Sequence, residues 1–321
     1  MIRRRIRDPH LVFEMTTVGQ ESKTDVAIAY IEDRIKPETL DIVKKNLNSI
    51  NVDALTLGDQ SLIEAINKKT WYNPMPKVRY SERADVTASH LCEGKIVLLV
   101  DNNPSAMLLP TSIFDFLQDV DDYYSPILTG NYLRLIRNLI LIVTLFLSPL
   151  YLLLVDYGDS LPKALQFLLP QESFGVPLIV QFIILELAID GLRIASLNTP
   201  SSLGMSLSVV GALILGESAI STGWFIPQTI LYMALIGLSS FTQKSLELGY
   251  SIKFFRIFLL LATYFFKLYG LIIGTILCFI LTACTKTFTG EPYLYPLIPF
   301  NGHELLRVLF RVSIKNNGDN N

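Results

Sequence analysis

Three charged residues lie in an otherwise apolar stretch of the second half of the chain. Glu186, Asp190 and Arg193 are four and three residues apart, so they share one face of a helix. Charged side chains at membrane depth are costly, so such residues face a protein interior or water. Two interpretations stay open: an ion pair between Asp190 and Arg193 that only fixes helix packing, or a site that handles ions.

A single carboxylate, Glu217, interrupts the next apolar segment, over residues 204–222. Repeated around a symmetric oligomer, it would form a ring of carboxylates that attracts cations. The alternative is a protonated or interfacial glutamate with no transport role. The face that carries it predicts the pore-lining residues Val210, Leu213, Ile214, Glu217 and Ser221. Small residues on the adjacent face favour close helix packing; they are Gly204, Ser208, Gly211 and Ser218.

Five hydrophobic segments must position these residues. A helix needs roughly 20 apolar residues to cross the hydrocarbon core of a bilayer. The segments cover residues 135–155, 177–195, 204–222, 224–241 and 254–284. The last contains Lys267 near its middle, and it is either one tilted helix or a broken one.

The basic residues that flank the segments predict their orientation. Arg134 and Arg137 precede the first segment, and no apolar stretch follows the basic N-terminus as a signal peptide would require. We therefore expect the N-terminal domain in the cytoplasm. Basic residues at 244–256 and in the tail also favour the cytoplasm. Both can lie there only if the last segment re-enters or crosses twice.

The first part of the chain alternates strand and helix signals. Residues 25–31 and 52–57 predict strands, residues 37–50 predict a helix, and Ser61 is expected to cap another helix that ends near Lys69. Residues 95–101 and 106–110, joined by Asn-Asn-Pro, predict a hairpin. The sequence thus predicts an α/β soluble N-terminal domain at 1–131, a multi-pass α-helical membrane domain at 132–288, and a C-terminal tail at 289–321.

Composition and motifs argue against several function classes. The soluble part contains no GxGxxG, P-loop or nucleophile elbow, so we expect neither an enzyme nor a cofactor. The 27 basic and 29 acidic residues nearly cancel, which does not imply nucleic-acid binding. The three histidines have no metal-ligand spacing, and the three cysteines are expected to be reduced. The aspartates at 119, 121 and 122 indicate a cation site or a solvated helix end.

Short motifs along nearly the whole chain resemble the A-subunit family of bacterial spore germination receptors. They lie at residues 7–11, 18–24, 93–94, 101–104, 122–124, 211–216 and 292–296. Ile194 and Asn198 stand where receptor subunits often carry an acid and a base. With residues 187–192, this is more similar to the stage V sporulation protein AF branch of the family. Family members usually carry a further soluble domain before the matching region, so we expect a truncated form or a shortened paralogue.

The resemblance implies a location in the inner membrane of the spore and assembly of several copies into an ion-conducting oligomer. For the AF branch it implies cation release that amplifies germination. The implied partners are further copies of the chain, other germination membrane proteins, monovalent cations and membrane lipid. Two other functions stay open: a nutrient receptor subunit that senses or transmits ligand binding, and a secondary transporter in which Glu186 and Asp190 couple ions or protons.

Overall fold

The computed structural model describes residues 1–55, 58–66, 72–170, 174–198 and 219–310. The chain divides into two compact units. The first unit combines Met1–Arg134 with Ile280–Asn321, and the second is Leu135–Phe279. The chain therefore leaves the first unit once and returns to it.

A five-stranded antiparallel sheet forms the centre of the first unit, in the order β1-β2-β4-β5-β3. The strands are β1 Leu11–Val18, β2 Thr24–Ile31, β3 Arg79–Ser81, β4 Ile96–Val100 and β5 Ala106–Leu109. The surrounding helices are α1 Ile2–Arg5, α2 Pro37–Asn48, α3 Asp59–Ile66, α4 Ala84–Cys92, α5 Ile113–Leu117 and α6 Asp121–Tyr124. Antiparallel pairing of β4 and β5 confirms the predicted hairpin.

Both faces of this sheet are buried, because side chains alternate along each strand. In β2, Val26 and Ile28 face a core completed by α2 and α3, whereas Ala29 and Ile31 face a core completed by α1 and α4. Phe288, from the far end of the chain, joins the first of these cores. The first unit is therefore a sheet-plus-helix domain that includes C-terminal residues.

The C-terminal segment is tied to the N-terminal region by buried polar contacts. The Tyr293 side chain is fully buried, and its hydroxyl donates to the Pro76 carbonyl oxygen at 2.6 Å. The Ile113 amide donates to the Tyr293 carbonyl at 3.1 Å, and the Asn73 amide donates to the Thr285 hydroxyl at 2.7 Å. Residues from 280 onward thus group with the first unit.

Two helices that contribute to the second unit are long and apolar enough to cross a membrane, by length and composition. They are α7 Ile127–Asp156 and α11 Leu246–Cys284. Between them lie α8 Leu178–Asn198, which carries three charges, α9 Ala219–Ser221, and α10 Pro227–Ser240, which has only 14 residues. Two short 3-10 helices, Gly158–Ser160 and Lys163–Leu168, follow α7, and α12 Gly302–Leu309 ends the described chain.

Helix α11 is broken at Lys267, where the backbone has φ 52° and ψ −132°. A Cβ atom on Gly274 would lie 2.9 Å from Leu259 Cδ2 and 3.5 Å from Ala262 Cβ. In one straight helix, residues 259 and 274 would be about 22 Å apart. The two halves of α11 therefore fold back on each other as a hairpin. Of the two structures predicted for this stretch, the broken helix is confirmed.

Candidate functional site

Charged side chains from two helices of the second unit form one buried network. Helix α8 presents Glu186 and Asp190 one turn apart, and the first half of α11 presents Lys253 and Arg256. Glu186 and Arg256 are 5% and 4% exposed. Buried charged side chains are tolerated when they are paired and hydrogen-bonded, and the geometry supplies both.

Each carboxylate in the network has a cationic partner. Arg256 Nε donates to Glu186 Oε1 at 2.5 Å, and Arg256 Nη1 donates to the Thr144 carbonyl of α7 at 3.2 Å. Lys253 Nζ donates to Asp190 Oδ2 and lies 3.6 Å from Glu186 Oε2. The network thus joins α7, α8 and α11 and balances two negative charges with two positive ones.

Arg193 lies in the same region but contacts a different set of groups. Its Nη2 donates to the Ser240 hydroxyl at 2.7 Å. Its guanidinium carbon lies 5.3 Å from the Phe241 ring centre and 5.8 Å from that of Tyr250, within cation–π range. In the described part of the chain, Asp190 is paired with Lys253 rather than with Arg193, so the pairing proposed from their spacing is wrong.

A small cavity of about 40 Å³ borders this network. Such a volume holds about three water molecules. Both polar atoms of the Gln243 amide, which lines the cavity, are buried without a hydrogen-bond partner among the described residues. Charged pairs and an amide around a few waters can hold or relay a small ion, and they can also fix three helices in one arrangement.

The predicted pore segment falls almost entirely outside the described residues. Ser221 is exposed and ends α9. The other candidates, for the pore and for helix packing, lie outside the described ranges: Val210, Leu213, Ile214 and Glu217, with Gly204, Ser208, Gly211 and Ser218. Their roles stay predictions.

Two members of the network were missed in the sequence. Lys253 and Arg256 looked like loop residues that mark the cytoplasmic side, because they border the apolar run from Phe254. The spacing of the charges could have indicated that they pair, because the two bases are three residues apart and Glu186 and Asp190 are four residues apart. Spacings of about one turn on two helices allow acid and base to pair side by side.

The aspartates before α7 are not a solvated helix end. Asp122 is fully buried and lies 3.5 Å from Arg134 Nε, and Asp119 is also buried. Only Asp121 is exposed, and it pairs with Arg83 at 2.8 Å. The solvated interpretation is therefore wrong for two of the three residues. In the described ranges, the one group of side chains close enough to hold a metal is elsewhere, at Asp8, His10 and Asp33.

A second cluster of polar side chains lies in the first unit, around His90 of α4. Arg79 approaches His90 Nε2 at 3.4 Å, and His90 Nδ1 lies 2.9 Å from Glu93, so the neutral ring accepts on one side and donates on the other. Burial lowers the pKa of His90. Burial opposes ionisation of Asp115, but the Lys95 ammonium beside it holds the pKa of this carboxyl below its usual value.

The chain matches one protein family over nearly its whole length. Residues 1–320 match the family model described as Bacillus/Clostridium GerA spore germination protein. The chain is 40% identical over 314 residues to stage V sporulation protein AF of Bacillus subtilis, covering 98% of this chain and 63% of that protein. It is 30% identical over 314 residues to the uncharacterized membrane protein YfkQ of the same organism, covering 97% of this chain and 61% of that protein.

One solved structure is also similar in sequence. It is the crystal structure of the N-terminal domain of the A subunit of the Bacillus megaterium spore germinant receptor GerK3. The identity is 30%, over 33% of this chain and 83% of that chain, with a TM-score of 0.25. At this TM-score the likeness does not define the fold of the first unit, which follows from the strands and helices of this chain.

Proposed function

The chain belongs to the GerA family of spore germination proteins, and from this premise we propose that it is a membrane subunit of the germination apparatus that releases monovalent cations. In this proposal several copies assemble into an oligomeric channel in the inner membrane of the spore, together with other germination membrane proteins. The chain spans about 63% of the length of its stage V relative, so that protein's complete activity is carried over only as part of this proposal.

The observation that carries the proposal is the buried network of Glu186, Asp190, Lys253 and Arg256 within an apolar helical unit. Large apolar side chains on the outside of this unit stay exposed, with Leu139 at 57%. Lipid would cover such a surface. Four charges held at membrane depth are costly and by default indicate a site that handles ions.

In this proposal the four paired charges have a supporting role in the channel. Glu186 and Asp190 are both neutralised by cations, so neither presents a free negative charge to a passing ion. Rings of Asp or Glu side chains select cations in one class of pore, and Glu217 remains our candidate for such a ring. Val210 and Ile214, one to two turns away, would form the apolar constriction that closes the pore by dewetting.

Purified chain reconstituted in potassium-loaded vesicles tests this proposal. We expect potassium release, faster release from Val210→Ala because its constriction is wider, and weaker cation preference in Glu217→Gln. Matched controls are Val180→Ala, on an exposed face of α8, and Asp159→Asn, in the loop after α7; both should conduct like the parent. If both segment variants assembled and conducted like the parent, residues 204–222 would not line the pore.

A receptor subunit is the alternative that a specific observation favours. A cavity of about 460 Å³ in the first unit is large enough for a small organic ligand and is lined by Lys95, Tyr123 and Glu304, among others. Potassium release that required an added nutrient would support the receptor function; release without any nutrient would support the channel described above. Coupled transport by Glu186 and Asp190 is disfavoured because both are held in ion pairs.

A further inference from the structure

We infer that α12, the C-terminal amphipathic helix Gly302–Leu309, binds the lipid headgroup region of the membrane surface as an interfacial anchor. The inference depends on the membrane placement in the proposed function. It adds an interaction surface, in a segment that the sequence treated only as a tail, and it commits to anionic lipid as the partner.

One side of this helix and its end is apolar and uncovered. Leu306 and Leu309 are three residues apart, so they share one face of the helix, and Phe310 follows directly as its extended C-cap residue. They are 58%, 38% and 48% exposed, and Phe300, just before the helix, is 75% exposed. The opposite side is different: the Val308 side chain is partly buried, and it lines the cavity of the first unit. This division into an apolar outer face and a packed inner face is typical of a helix at a membrane interface.

Arg134 ties the last turn of α12 to the N-terminal part of α7, within the first unit. The Arg134 side chain is 1% exposed, and its Nη1 donates to the carbonyl oxygens of Val308 at 2.9 Å and Arg307 at 3.4 Å. These carbonyls belong to the last turn of α12, where a cation is favourable. Leu135, the next residue of α7, begins the apolar run. The last turn of α12 therefore lies beside Arg134, the residue of α7 that directly precedes the apolar run in the sequence.

Exposed aromatic and aliphatic side chains precede the apolar run of α7 in the sequence. Tyr124 and Tyr132 are 68% and 59% exposed, and the aliphatic Leu128 is 83% exposed. Exposed aromatic residues at the end of a spanning helix form the belt that lies among lipid headgroups. The face of α12 that carries Leu306 and Leu309 is exposed in the same way.

Charge distinguishes an anionic lipid surface from other occupants. Arg307 pairs with Glu304 at 3.5 Å within α12, and the sequence continues with Arg311 and Lys315, so residues 302–315 contain one acidic and three basic residues. Basic residues beside an apolar helix face add attraction to anionic headgroups. Four apolar side chains are also few for a stable contact with a second copy, which buries about 800 Å² on each partner.

Depth-resolved fluorescence quenching tests the inference in the full chain. A single reporter, Leu306→Trp, is introduced with Trp71→Phe and Trp224→Phe, and the protein is reconstituted in phosphatidylglycerol vesicles carrying bromine at a shallow acyl position. We expect at least twofold quenching of this reporter. The matched control is Met15→Trp in β1, an exposed apolar position at 67%, which should be quenched by less than a fifth.

The outcomes separate this inference from the proposed function. If the chain resists alkaline extraction from vesicles but Leu306→Trp and Met15→Trp are quenched equally, the interfacial helix is refuted and the membrane protein stands. Cross-linking between copies at position 306, without quenching, would also refute it by assigning the face to an oligomer contact. If the chain is fully extracted, the membrane placement fails and the inference fails with it. Selective quenching that weakens when phosphatidylglycerol is replaced by phosphatidylcholine supports the anionic lipid.

Discussion

Removing one partner of the Glu186–Arg256 pair should destabilise the second unit far more than removing both. The perturbations are Glu186→Met, Arg256→Met and the double variant. Each single change leaves a charge buried, because the two side chains are only 5% to 6% exposed. The double change replaces both charges with apolar groups of similar length, which removes the need for a partner.

The expected magnitude follows from the geometry of the pair. At the observed N···O distance of 2.5 Å, Coulomb's law with an effective dielectric constant of 20 gives roughly 6–7 kcal/mol of gross attraction. Desolvation of both charges offsets much of it. We therefore expect each single variant to lose about 3–5 kcal/mol and the double variant to be nearly neutral or more stable, so the coupling energy is large.

Unfolding in mixed micelles titrated with sodium dodecyl sulfate, followed by circular dichroism, measures these free energies. The control cycle uses Lys36→Met and Glu291→Met, whose side chains pair at 3.2 Å but are 78% and 36% exposed. Its coupling energy should stay below about 1 kcal/mol because water screens the charges. If the two single losses at Glu186 and Arg256 simply added in the double variant, the pair would not be coupled, and the network would not be the element that joins these helices.

Three further predictions concern other parts of the chain. Tyr293→Phe should cost about 1–3 kcal/mol in the first unit, measured by thermal unfolding, because the Pro76 carbonyl loses its buried donor; an unchanged midpoint would contradict this. Lys267→Cys, at the turn of the α11 hairpin, should react with an impermeant thiol reagent from the side opposite the N-terminus, and labelling from the N-terminal side would refute two crossings. The pKa of Asp115 is held below its ordinary value of 3.8, so its ionised carboxylate stabilises the first unit fully above pH 3.8, and this stabilisation is lost as the pH falls through the lower folded pKa. Asp115→Asn should therefore reduce the fall in the unfolding midpoint at acidic pH. A variant whose midpoint falls with pH as steeply as that of the parent would refute the assignment.

Local patterns in the sequence were sufficient to predict much of the first unit. The predicted strand at 25–31 corresponds to β2, and the predicted helix from Pro37 corresponds to α2. Strand β1 was missed because Glu14 and two threonines interrupt its apolar residues. Residues 52–55 are not a strand, so that prediction is wrong for the described part of 52–57. Whether such short segments form strands depends on contacts with neighbouring strands and helices, and a local sequence pattern does not contain that information.

The C-terminal part of the first unit could not be predicted, because it depends on contacts between residues that are far apart in the sequence. Phe288 and Tyr293 complete the first unit from more than 150 residues after its sheet ends at Leu109. A fragment over residues 18–117 would lack nearly all of β1 and these C-terminal residues. We therefore expect it to fold less well than a version that restores both.

The site was predictable on one helix and not on its partner. The spacing of Glu186 and Asp190 indicated a shared charged face, and both do lie in one network. Their partners on α11 depend on how two helices pack, and Lys253 at the edge of an apolar run is equally consistent with a loop. A broken helix was one of the two structures predicted for residues 254–284, because the stretch is long for one helix and contains Lys267 near its middle; the position of the break was not predicted.

The central claim is that this chain conducts cations through a pore lined by the segment that contains Glu217. The most direct measurement is the reversal potential of the reconstituted chain in a planar bilayer under a potassium chloride gradient. We expect the reversal potential of the parent to lie close to the potassium equilibrium potential, and that of Glu217→Gln to shift towards zero. A parent that carries no current, or a Glu217→Gln variant with the parent's reversal potential, would contradict it.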